Sequence, residues 1–169
     1  HAPKDEIEKR LLFRDFVLIA ANTCCRVGEL WQLRWSDVLK YEEIKDGKNG
    51  AKTLVKIQIR AETSKVQKSR DIICRGGEYF QRIYSRSRFT EPDDLVFAFE
   101  SADKILAKKE FYQMFSACMK TLEVDMKSRK ISLYSLRHFG ISCRLRAQVS
   151  VFDVAKFAGT SVSMIEKYY

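Results

Sequence analysis

The chain has 169 residues, 46% hydrophobic and 31% charged, with 31 Lys+Arg against 22 Asp+Glu and a formal net charge of +9. This fits one domain with enough apolar material for a core, excludes a disordered chain, and favours a polyanionic partner, nucleic acid before an acidic membrane surface. No apolar run approaches the roughly 20 residues needed to span a bilayer, and residues 1–10 are too polar for a secretory signal.

Residues 4–22 read as a helix. Leu12, Phe16, Ile19 and Ala20 recur at helical spacing, and Lys4, Glu6, Glu8, Lys9 and Arg10 supply a wet face. A break at Thr23–Cys25 precedes a second helix over 27–34, with Trp31 and Trp35 on nearly one side. The period then becomes two. Val55, Ile57, Ile59 and Ala61 alternate with Lys56, Gln58 and Arg60 in a half-buried strand over 53–61. Asp46-Gly47 and Asn49-Gly50 mark a turn between this strand and an earlier one at 39–44. Residues 70–74 form a third. The result is a small antiparallel sheet among helices, with Lys65, Lys68 and Arg70 on the loop joining its last two strands.

Gly76-Gly77 breaks the chain, and Tyr79, Phe80, Ile83 and Tyr84 suggest a helix. Residues 95–99 are a short apolar run. Phe111, Met114, Phe115, Cys118, Met119 and Leu122 trace one helical stripe, read as core. Lys127, Arg129 and Lys130 form a basic link. Helices over 134–147, 151–158 and 161–168 close an α+β, mostly helical chain. There is no internal repeat and no low-complexity tract.

The five cysteines are odd in number and form no Cys-x-x-Cys, which suits reduced thiols in the cytoplasm. His1 and His138 are the two histidines, and no His/Cys cluster has zinc-ligand spacing. No phosphate loop or dinucleotide fingerprint occurs. No cofactor or metal is expected.

Four segments carry candidate chemistry. Arg26 opens a helix at the positive end of its dipole, where a guanidinium is better placed to grip an anion; Glu29 can reach back to hold it. A surface Arg–Glu pair is the alternative. Lys65, on a basic turn, can reach a phosphate or simply be solvated. Ser135 is placed to cap a helix, on which Tyr134 and Arg137 share a face at i, i+3 and can share a phosphate. A buried Tyr with a charged partner is the other reading. Gly159-Thr160-Ser161 makes a turn before a short helix ending in Tyr168 and Tyr169.

Together these segments resemble the tyrosine recombinases, or phage-type integrases. The resemblance rests on Arg-Val-Gly-Glu-Leu-x-x-Leu-x-Trp-x-Asp-Val (26–38), Thr63-Ser64-Lys65, Leu136-Arg137-His138, and Gly159-Thr160-Ser161 ahead of a tyrosine. It implies the catalytic fold shared with type IB topoisomerases. It also implies metal-free cleavage of double-stranded DNA through a 3′-phosphotyrosine. On this resemblance Arg26 and Arg137 clamp the phosphate, Glu29 supports Arg26, Lys65 is the general acid and Tyr169 the nucleophile. The family's remaining two active-site positions hold Tyr134 and Thr160, where His, or His or Trp, is common. His138 is a possible helper, and Tyr168 a competing nucleophile nearer to Thr160 by one residue. Lys65, Lys68, Arg70, Lys127, Arg129 and Lys130 are the expected DNA contacts.

The family's DNA-clamping helical domain and its docking tail are expected outside residues 1–169, which form a single catalytic domain. The resemblance implies a tetramer on paired sites when full length and a monomer for this fragment. It implies integration or excision of a mobile element in a prokaryotic cytoplasm, at the nucleoid. Two other readings stand beside it: a topoisomerase-like nicking-closing enzyme, and a DNA-binding module without catalysis, either a decayed recombinase or a helix-turn-helix regulator.

Overall fold

A computed structural model describes residues 3–45, 51–105 and 108–169. The fold is α+β and mostly helical. Helix α1 (Lys4–Thr23) runs through its centre and ends where Cys24 turns left-handed, with φ 52°. A single turn, α2 (Val27–Leu30), follows. Strands β1 (Val38–Lys45), β2 (Ala51–Ile59) and β3 (Arg70–Arg75) form an antiparallel sheet in that order. Helix α3 (Gly77–Arg86), the hairpin β4 (Ala98–Ser101) and β5 (Lys104–Ile105), and α4 (Lys108–Thr121) come next. Helices α5 (Ser135–Arg146), α6 (Val151–Ala158) and α7 (Val162–Tyr168) complete the described chain. Among the described residues no helix is long and apolar enough to cross a membrane.

The alternating strand pattern has the expected consequence. Val55, Ile57 and Ile59 of β2 are buried, with Ile57 opposite Ile72 and Val55 opposite Cys74 of β3. This face joins the core of α1, where Phe16 packs against Phe97 and Phe111 with ring centroids 5.1 and 4.7 Å apart. A second cluster joins Cys24 and Ile141 to Val154, Ala155, Ala158 and Ile165. It fastens α6 and α7 to the end of α1.

Several expectations need correction. The second helix stops at Leu30, not at residue 34, because the next backbone groups are used elsewhere. Leu33 O accepts from Val96 N–H at 2.9 Å, Arg34 bridges Leu95, and Asp37 caps the Arg34 amide. Trp31 and Trp35 therefore part. Trp31 meets Phe111 and Tyr112, while Trp35 meets Tyr84 and donates to Phe89 O. Strand β2 ends at Ile59, and Ala61 lies in a 3-10 turn. The 95–99 run leads into a hairpin. In α4 only Phe111 and Phe115 are buried; Cys118 is exposed and Leu122 is 66% exposed beyond the helix end. Ser135 does not cap α5; its Oγ accepts from the Ser132 amide. The Asp46–Gly50 turn lies outside the described residues.

Helices α1 and α5 touch most closely at Gly140. A Cβ there would stand 2.2 Å from Ala21 O and 2.7 Å from Cys24 Sγ. The backbone oxygen cannot move aside without shifting α1. Gly140→Ala is expected to lower stability by about 1–3 kcal/mol, the range for overpacking a tight contact. A urea unfolding series would measure it.

Candidate functional site

Arg26 is the N-cap residue of α2, in extended backbone. Glu29 reaches back to it twice, accepting from the Arg26 amide at 2.9 Å and from its Nη1 at 3.0 Å. Glu29 thereby makes the N3 half of a capping box, while its own amide donates to the Arg26 carbonyl at 2.9 Å. Just before it, Thr23 Oγ1 accepts from the Cys25 amide and closes the end of α1.

Arg137 is 3% exposed on α5. Its Nη1 donates to Cys24 O and to Ala158 O, the latter at 2.8 Å. Arg26 Nη2 donates to Gly159 O at 2.9 Å. Arg70 Nε donates to Phe157 O at 3.2 Å. Three successive carbonyls at the end of α6 thus each take an arginine. This is the negative end of the helix dipole, where cations are favoured.

The end of α6 is itself a tight turn. Gly159 is left-handed at φ 65°, and Thr160 N–H returns to Ala155 O at 3.0 Å. A Cβ on Gly159 would lie 2.7 Å from the Arg70 guanidinium. Thr160 is half-buried behind this turn. Ser161 then caps α7, accepting from the Met164 amide.

Helix α7 carries Tyr169 back to α5. The Tyr169 ring lies 5.0 Å from the His138 ring, and His138 lies 5.1 Å from Tyr134 in an edge contact. Burial pushes the Tyr169 phenol up to about 12, against the pull of Arg137. Burial and then Arg137 push the His138 imidazole below its ordinary value, so it is neutral at pH 7. Tyr168 is 57% exposed and holds Lys167 over its ring. Tyr134, at the N-cap of α5, is 44% exposed, whereas Arg137 one turn on is inside.

The structure therefore brings Arg26, Glu29, Tyr134, Arg137, His138, Thr160 and Tyr169 to one region built by α2, α5 and the α6–α7 turn. Lys65 and Lys68 stand exposed on the β2–β3 loop, and Lys127, Arg129 and Lys130 are exposed on the turn after α4. Arg70 departs from the expectation. It is not on the loop but begins β3, with its side chain 10% exposed, and both nitrogens of its fork go to Glu29. A guanidinium so committed is not a free DNA contact. The strand period carried the signal: Arg70 shares its parity with buried Ile72 and Cys74. Sequence reading also missed Arg144, which donates to Cys24 Sγ, Gly140 O and Asn22 O and pins the turn before Arg26. Its spacing gives no hint of this role.

Glu29 is the one carboxylate in these contacts, against Arg26, Arg70, Arg137 and Arg144. Burial opposes its ionisation, but Arg70 and Arg26 outweigh burial and hold its pKa below the usual carboxylate value. The net positive charge suits an anion.

No curated protein matches the chain. Among solved structures it is similar to XerH site-specific recombinase bound to difH substrate in a pre-cleavage complex. The TM-score is 0.67 at 17% identity, over 97% of this chain and 48% of that one. It is similar to the Tn1549 transposon integrase in complex with circular intermediate DNA, with TM-score 0.63 at 15% identity, over 99% and 61%. A lambda integrase dimer bound to a COC′ core site gives 0.58 at 16%, over 97% and 56%. The chain spans about half the length of the first of these, and at such identities the likeness is one of fold. The family model described as "Phage integrase family" matches residues 2–169. The chain belongs to the phage integrase family.

Proposed function

We propose that this chain is the catalytic domain of a site-specific tyrosine recombinase, which cuts and rejoins double-stranded DNA through a 3′-phosphotyrosine. The observation that carries the reading is the meeting of Arg26 and Arg137 at the α6 end with Tyr169 returning beside Arg137.

The chemistry follows from these groups. The Tyr169 oxygen attacks the phosphorus, and the bond to the 5′ oxygen breaks. Extra negative charge gathers on the non-bridging oxygens, where two guanidiniums bind by charge-assisted hydrogen bonds. Lys65 protonates the leaving 5′ oxygen from the exposed β2–β3 loop. A phenol pushed up to about 12 does not ionise in advance, so its proton leaves as it attacks. His138, neutral and against the Tyr169 ring, is our choice of acceptor. Tyr134 packs edge-on against the other side of His138, and Thr160 orders the α6–α7 turn. A 5′-hydroxyl from another strand reverses the step. No metal takes part in this scheme.

The pH dependence has a definite sign. His138 must be neutral to accept a proton, and its pKa lies below the ordinary value. Cleavage is expected to fall as the pH drops through that pKa and to be level just above it. His138→Ala should be slower and lose this acid limb, read in single-turnover rates between pH 5 and 8. An unchanged limb in that variant removes His138 from the step.

DNA contacts belong to Lys65, Lys68, Lys127, Arg129 and Lys130, all exposed. If they bind phosphates, the log of the affinity falls linearly with log salt, with slope about −0.9 per phosphate contact. Replacing Lys127, Arg129 and Lys130 with Ala should make that slope shallower by as many contacts as are lost; an equal slope excludes them. The reading as a whole is tested by incubating the chain with nicked duplexes of randomised sequence in EDTA. An SDS-resistant protein–DNA band supports it, and sequencing the trapped DNA gives the preferred site. Free broken ends without a band contradict it. The tetrameric assembly, the element served and the direction of reaction belong to the full-length protein, and we assign it to integration or excision on paired DNA sites.

A further inference from the structure

Arg70 is a heavily bonded side chain at this site that the phosphotyrosine scheme leaves without a task. Its Nη1 donates to Glu29 Oε1 at 3.1 Å, and its Nη2 to Glu29 Oε2 at 2.7 Å. Arg26 uses the same two oxygens: its Nη1 reaches Oε1 at 3.0 Å and its backbone amide reaches Oε2 at 2.9 Å. Each carboxylate oxygen thus takes one bond from Arg70 and one from Arg26. The Glu29 side chain is 1% exposed, so no solvent competes.

A carboxylate held by Arg26 alone shares that residue's freedom. Held by a planar fork from the sheet, it becomes a fixed reference against which Arg26 is aimed. Arg70 adds a second hold. Its Nε meets Phe157 O, and its guanidinium fills the space a Cβ of Gly159 would take. The backbone two residues on from Phe157 supplies the Gly159 carbonyl that receives Arg26. One guanidinium thereby fixes both things the Arg26 side chain touches.

We propose that Arg70 is a positioning residue: through Glu29 and the α6 end it sets where Arg26 points, and so where a phosphate is held relative to Tyr169. Its catalytic consequence rests on the reading in the preceding subsection. The geometric consequence does not. Lysine cannot replace it, because an ammonium lacks the fork and cannot serve Glu29 and Phe157 O at once.

The test uses the 169-residue chain with Arg70→Lys, and Arg70→Met beside it. Arg70→Lys keeps a countercharge for Glu29 and so keeps the fold, which a thermal midpoint near wild type verifies. Three quantities are then read: DNA affinity on the trapped duplex, the single-turnover rate of covalent-band formation, and the ¹⁵N signal of the Arg26 side-chain Nε–H. Arg70→Lys is expected to bind DNA as wild type does. It should form the band about 10²-fold more slowly, the scale for a small misplacement of a reacting group. The Arg26 signal should shift and broaden while that of Arg34 stays. In an Arg26→Lys background the same change should add little further loss, because the two act as one unit. A wild-type rate and an unmoved Arg26 signal in Arg70→Lys overturn the proposal. So do losses that multiply with Arg26→Lys, or a rate that merely follows the folded fraction. If wild type forms no band, the recombinase reading fails, and the Arg26 signal still decides whether Arg70 positions it.

Discussion

Tyr169→Phe is expected to abolish covalent attachment to DNA while leaving DNA binding intact, and Tyr168→Phe to retain attachment. The change removes one oxygen and keeps the ring that packs 5.0 Å from His138, so α7 should keep its place. The two tyrosines differ in surroundings, not in chemistry. Tyr168 is 57% exposed, with Lys167 over its ring. Tyr169 is 39% exposed, sits against His138, and feels the charge of Arg137. Burial raises its phenol to about 12, so the free protein holds it protonated and unreactive. On the proposed mechanism, a phosphate clamped by Arg26 and Arg137 then provides both the electrophile and the reason for the proton to leave. The check is an SDS gel of each variant on trapped DNA, with a filter-binding curve alongside. Attachment that survives Tyr169→Phe and vanishes with Tyr168→Phe would exchange their roles.

Glu29→Ala carries the largest expected cost to stability. Glu29 is 2% exposed and is the counter-ion of both Arg26 and Arg70. Removing it leaves two guanidiniums in a buried setting without their partner, and breaking a buried pair in this way costs about 3–5 kcal/mol. The same group gives the protein an acid limb. Its folded pKa is depressed, so its contribution is present above the unfolded value, near 4.3 for a glutamate, and is lost as the pH falls through the folded value. Asp15 behaves alike. Burial opposes its charge, but Arg82, Arg86 and Arg14 depress its pKa in the contact between α1 and α3. Urea midpoints should therefore fall as the pH drops below the unfolded carboxylate values, about 4, and keep falling through the depressed folded ones. In Glu29→Ala they should start lower at pH 7 and fall less. Equal slopes would mean that Glu29 is not the titrating support.

What the sequence made legible was what local period decides. The α1 stripe, the β2 alternation and the α5–α7 series follow from spacing alone, because each buries one face. The α4 stripe was legible as a helix, but not as a surface: Cys118 and Leu122 lack a covering partner that spacing cannot reveal. The early end of α2 was hidden because Val96 and Leu95, some sixty residues on, take the backbone groups of Leu33 and Arg34. At the site, the motifs gave Arg26, Glu29, Arg137 and Tyr169, whose types the proposed chemistry demands. They did not give the carbonyls of Phe157, Ala158 and Gly159 as the surface on which three arginines meet. Backbone oxygens carry no residue identity, so no pattern of side chains announces them. Arg70 was hidden differently. It follows two lysines in a basic run, and only its parity with Ile72 and Cys74 turns it inward.

The most direct test of the phosphotyrosine account is to locate the adduct. The chain is trapped on nicked duplex in EDTA, the DNA is trimmed with nuclease, and the protein is cut after Glu166. Mass spectrometry then reads the Lys167–Tyr169 peptide. The account predicts a nucleotide linked through its 3′ phosphate to Tyr169, formed without divalent metal and absent from Arg137→Ala at matched times. By comparison with lost oxyanion-hole donors, that variant should be about 10²–10³-fold slower. A nucleotide on Tyr168, an adduct linked through a 5′ phosphate, or cleavage that leaves every tyrosine free would contradict it.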